Sequence, residues 1–261
     1  MLTDQSLSVG ARLVSRFRWI AVRGLASAVA GIVVLGVGGR LVMLASRFLH
    51  PDAVGRITEN GNRIGEFTVE GTIGLILFGG LASGVFAGVV WVLVKEWIPQ
   101  HPVPVGLGAV AIGGFLLVEA DNPDFFILGN PSVDLVLLLG LIFVFGVVLF
   151  WVDRWLDRRL PGVAGTTSIV LYSLLVALGV PFLVPVFGSF LSREFCFCRN
   201  PPIWSGVFLV VTSFATIWWW ILNLRGSDTP PRTLRTIGTT SIALTVTAGS
   251  IYLAREVLAI L

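Results

Sequence analysis

A chain of 261 residues that is 55% hydrophobic and 13% charged, with a mean hydropathy of +0.90, falls outside the soluble globular range and inside the polytopic membrane range. The net charge of +3 needs no nucleic-acid partner, because membrane proteins keep arginines in their cytoplasmic loops. Two cysteines and two histidines leave little scope for a multi-ligand metal centre.

The N-terminal stretch is polar and carries Arg12, Arg16 and Arg18; Trp19 follows, with an apolar run broken by Arg23 and ended by Arg40. A first span over about 19–42 is predicted, its arginines snorkelling at both ends. The small residues Ala26–Ala30 precede most of the apolar run, which argues against a cleaved signal peptide. Uncharged runs place the remaining spans at about 72–97, 103–119, 134–152, 163–185, 204–224 and 235–255, giving an all-α bundle of seven transmembrane helices in one integral membrane domain, 1–261. Gly179, Pro181 and Pro185 are expected to kink or end the fifth helix, with 186–191 as a continuation, an interfacial segment or a re-entrant turn.

Orientation follows from the distribution of basic residues. With the N-terminus inside, Arg12, Arg16, Arg18, Arg23, Lys95, Arg154, Arg158, Arg159, Arg225, Arg232 and Arg235 lie on the cytoplasmic side, eleven of the eighteen. Eight of the nine tryptophans gather toward the same interface, and only Trp204 falls outside. The expected arrangement is N-in, C-out.

Between Glu70 and Lys95 no residue is charged, and Gly80, Gly84 and Gly88 recur every fourth position, so all three share one helical face. In lipid, such a nearly bare backbone lets a second helix approach closely. This predicts that 72–97 is the central, most tightly packed helix, with Gly106, Ala109 and Gly113 as the facing surface.

The polar connections on the outer side are the candidate working segments. Asn60-Gly61 suits a type I′ turn, so a short outer β-hairpin is expected, with Ile57 opposite Ile64. The Glu119-Ala120-Asp121-Asn122-Pro123-Asp124 loop concentrates three carboxylates; a solvated acidic loop is favoured over a cation site because the EF-hand spacing is missing. Arg40 is placed to pair with Glu66, Glu70 or Glu119, and the candidate binding residues are Arg40, Glu66, Glu119, Asp121 and Asp124. Cys196 and Cys198 lie in the third outer loop; one residue apart, they make only a strained ring with each other, which leaves thiols, a bridge to a partner or half of a shared site. The last span carries a hydroxyl stripe of Thr236, Thr240, Thr247 and Ser250, with Ser241 and Thr245 beside it. His50 and His101 fall at opposite ends and cannot share a metal.

The acidic loop between the first two spans, the Gly71-Thr72 helix entry and the Asp-Asn-Pro-Asp-Phe run at 121–125 resemble those of a group of uncharacterised bacterial multi-pass membrane proteins, over about residues 36–160. The resemblance implies a bacterial cell (inner) membrane location and carries no activity or site. No nucleophile, phosphate-loop or zincin pattern points to an enzyme. The leading expectation is a non-catalytic accessory, scaffold or assembly subunit that meets the lipid bilayer and other membrane proteins through glycine-rich faces and outer loops. The alternative is a small transporter or channel for a neutral solute.

Overall fold

The computed structural model describes residues 9–57, 63–64, 66, 68–123, 125, 130–162, 166–196 and 201–261. Seven apolar helices dominate the described chain: α1 (Val9–Leu49), α2 (Val69–Val94), α3 (Pro102–Leu116), α4 (Pro131–Arg159), α5 (Thr166–Leu191), α6 (Ile203–Leu224) and α7 (Arg232–Ile260). Six are long and apolar enough to cross a bilayer. The exception is α3, whose 15 residues rise only about 22 Å against a hydrocarbon core of about 30 Å.

The helix boundaries follow local chemistry. Thr68 caps α2, its hydroxyl accepting from Gly71 N–H at 3.0 Å. Proline opens α3 and α4, where its missing N–H has no helical partner to lose. The prolines of α5 tighten it into one 3-10 turn at Val180–Phe182 without ending it, so 186–191 continues the same helix. The first helix is longer than the expected span of 19–42, because Arg12, Arg16 and Arg18 find partners on other helices and the polar segment stays helical.

The glycine face of α2 is filled by α1. A Cβ on Gly84 would lie 2.7 Å from Ser27 O and 3.0 Å from Ala28 Cα, and one on Gly80 would lie 3.1 Å from both Ile32 and Gly36 Cα. Gly88 faces Ser27 and Gly24. Both helices widen to π geometry where they cross, over Gly31–Gly38 and Leu75–Ala82. The facing helix is thus α1 and not α3, whose Gly106 packs instead on Phe143 and Gly146 of α4. Nor is α2 the centre of the bundle. Half of the apolar window of α1 is buried against 22% of that of α2, since α1 packs on α2, α4 and α5 together.

Buried hydroxyls tie α6 to its neighbours. Thr212 and Ser241 meet at 2.9 Å between α6 and α7, Ser205 donates to Thr245 O at 3.2 Å, and Trp97 N–H donates to Thr216 Oγ1 at 2.7 Å. The exposed Thr236 and Thr247 only bond back to carbonyls of their own helix. Thr216→Val should cost about 1–3 kcal/mol by stranding the Trp97 N–H. Melting in detergent checks it, and in a Trp97→Phe background the same change should cost clearly less.

Large apolar side chains such as Phe78, Val170, Leu174, Phe214 and Ile251 point outward. In water these would be an aggregation hazard, whereas in lipid they are the solvent face. Among the described residues there is no β-strand; an isolated antiparallel bridge joins Ile57 to Arg63, and the Asn60-Gly61 turn lies outside them.

Candidate functional site

Two polar clusters occupy opposite ends of the bundle. At the arginine-rich end, Asp153 of α4 is 1% exposed and Arg23 of α1 is 5% exposed. Lys95, just past α2, donates to Asp153 Oδ2, and Arg23 Nε lies 3.5 Å from Asp153 Oδ1. Arg23 also donates to Asp157 Oδ1 at 3.0 Å, an oxygen it shares with Arg18 at 3.1 Å. Each carboxylate is therefore held by two cations, and one knot joins α1, α2 and α4.

Around this knot Arg18 and Arg16 of α1 act as clasps. Arg18 donates to the carbonyls of Asp157, Leu160 and Pro161 at 2.8–3.1 Å, capping the C-terminus of α4, where the helix dipole favours a cation. Arg16 reaches Glu96 at 3.1 Å and Asn223 Oδ1 at 2.8 Å, tying in the end of α6. Trp19 receives Arg23 at 4.7 Å and Arg16 at 5.3 Å over its ring, and Trp220 meets Trp19 edge-on at 6.0 Å. The same tryptophans that suggest an interface thus also pack the charges.

At the other end Asp134, 5% exposed at the start of α4, accepts from Ser46 Oγ at 3.2 Å and lies 3.6 Å from His50 Nε2. Ser46 and His50 both face the carboxylate, which is not the serine–imidazole–carboxylate order of a nucleophilic triad.

Arg40 lies over Gly71 at the start of α2, its Nη1 3.9 Å from Met43 Sδ. Glu66 is exposed, Glu119 is half-buried and Asp121 is exposed. The loop of Glu119 and Asp121 is fastened to α7 by Ala120 N–H donating to Glu256 Oε2 at 2.9 Å, and Asp121 lines an open hollow there with Tyr252, Arg255 and Glu256. Asp124 and Cys198 lie outside the described residues, as does the side chain of Cys196. Among the described residues no three of His, Cys, Asp and Glu come close enough to hold a metal ion. Gly80, Gly84 and Gly88 are covered by α1, which removes the glycine face as a surface for another protein.

Both clusters escape a reading of charge runs, since Arg23, Lys95 and Asp153 look like interfacial markers of orientation. One signal was available: Arg23 interrupts an apolar run, and an ionic group in such a place calls for a partner.

Six apolar helices of spanning length, ionic groups gathered at the two ends and an outward apolar surface define a multi-pass helical membrane protein in contact with the lipid bilayer. No family model, no curated protein and no solved structure matches the chain.

Proposed function

We propose that this chain is a non-catalytic accessory or scaffold subunit of a membrane complex, with its arginine-rich end in the cytoplasm and its partner contact on the opposite face. The observation that carries this reading is the layer between the two polar clusters. Val34, Val90, Ile112, Phe145 and Ile242 belong to one buried apolar core, and the hydroxyls of α6 and α7 close on one another or on carbonyls. A permeation path needs polar groups left available along its length. The buried ions are likewise matched to one another, as groups that hold helices in register are. With the glycine face occupied by α1, the outer polar connections are the surfaces a partner would meet, and we assign the contact to the acidic loop with exposed Asp121.

The test is purification of the tagged chain in a mild detergent. A partner held at fixed stoichiometry is expected, and the pair Glu119→Gln and Asp121→Asn should reduce its retention severalfold while insertion and melting are unchanged. If these substitutions leave retention as it was, the acidic loop is not the contact.

A further inference from the structure

Helices α2 and α3 are consecutive in sequence, but each packs chiefly on a different neighbour, α2 on α1 and α3 on α4. The gap between them is a half-enclosed cleft of about 290 Å³, floored by α1 and α4 and closed at depth by Phe190. On α4 it extends from Leu138 to Leu149, about 16 Å of helix rise. Its wall is apolar apart from Ser83, whose hydroxyl donates to Phe78 O at 3.3 Å, and Trp91, which is 3% exposed and whose indole N–H has no hydrogen-bond partner. An unpaired buried donor is costly, and a ligand that supplies an acceptor removes that cost. Charged groups stand at both ends of the cleft. Asp134 lies one helical turn beyond Leu138 on the same face of α4, and Arg40 reaches the lining residue Met43, its Nη1 3.9 Å from Met43 Sδ. At the opposite end Ile98 lines the mouth, and exposed Arg154 donates to the adjoining Gln100 carbonyl at 3.4 Å.

We propose that the cleft between α2 and α3 binds the acyl chain of a glycerophospholipid from the leaflet at the arginine-rich end. The chain lies along Leu138–Leu149, an ester carbonyl accepts from Trp91 N–H, and the phosphate sits at the mouth beside Arg154. The orientation follows from Trp91, which stands one turn before Lys95 and so places the ester at the arginine-rich end. This assignment does not depend on the accessory role proposed above.

The probe is phosphatidylcholine with a photoreactive diazirine at mid-chain, incorporated into nanodiscs with the full chain and mapped by peptide mass spectrometry; the matching diacylglycerol probe reports binding without a phosphate. Labelling is expected to concentrate on Leu75–Val94 and Val105–Leu117 over the exposed α5 residues Leu171, Leu174 and Leu178. Gly108→Phe and Gly113→Phe each start from a Cβ position with nothing within 4 Å, so they fill the cleft without striking backbone. Both should lower cleft labelling about tenfold with melting unchanged, as should Trp91→Phe through its lost hydrogen bond. Arg154→Gln should bring the phosphatidylcholine probe down to the diacylglycerol level. Labelling that tracks lipid exposure evenly and ignores both cleft-filling variants overturns the proposal, as does a protein segment crosslinked into the cleft in place of lipid. Trp91→Phe retaining the probe like the parent overturns the assigned carbonyl contact.

Discussion

Asp153→Leu is expected to lower the unfolding free energy by about 3–5 kcal/mol, the largest single-site loss in the molecule. The carboxylate is 1% exposed and is approached by both Lys95 and Arg23. Removing it takes from Lys95 the carboxylate it donates to and leaves Arg23 with Asp157 alone, in a low-dielectric pocket lined by Trp19 and Trp91. The cost comes from the stranded charges and not from the lost attraction, because burying an ion pair is itself expensive. That distinction is measurable. The triple variant Arg23→Leu, Lys95→Leu and Asp153→Leu should recover most of the loss, while Asp157 keeps Arg18. Reversible unfolding in detergent measures both proteins, and a triple variant as unstable as the single one contradicts the assignment.

The second large effect is steric. Gly84→Leu should cost about 1–3 kcal/mol or more, since even its Cβ would lie 2.7 Å from Ser27 O and 3.1 Å from Gly31 Cα. These are backbone atoms of α1 and cannot swing aside. To admit the side chain, α1 would have to separate from α2 along several turns. Leu81→Ala, at a residue 36% exposed on the outward side of the same helix, should cost far less. Thermal melting and expression level compare the two. Equal behaviour would mean that the crossing is not a close one.

The spans were legible because their signal is local. An uncharged run of about twenty residues has one stable state in lipid, whatever the rest of the chain does. The glycine period on α2 likewise announced a close helix contact, but a face does not name its partner. Gly80, Gly84 and Gly88 fit α1 because Gly24, Gly31 and Gly36 present a second bare backbone. That match becomes visible only when both helices are laid side by side. The charge knot was hidden for the same reason: Lys95 and Asp153 are 58 positions apart in sequence, each unremarkable at the end of its own span. The length of α1 was misjudged because Arg12, Arg16 and Arg18 read as an unpaired polar tail, whereas Glu96, Asn223 and Asp157 on other helices receive them.

On the proposed accessory role, the polar groups described between the helices fasten them together and give a neutral solute no path. Solute flux in proteoliposomes tests this most directly. Purified protein reconstituted into vesicles should pass glycerol and urea no faster than protein-free vesicles do, as read by osmotic shrinkage. Flux that rises with protein content and is altered by Ser241→Ala or Thr245→Val would contradict the account and make α6 and α7 the walls of a path.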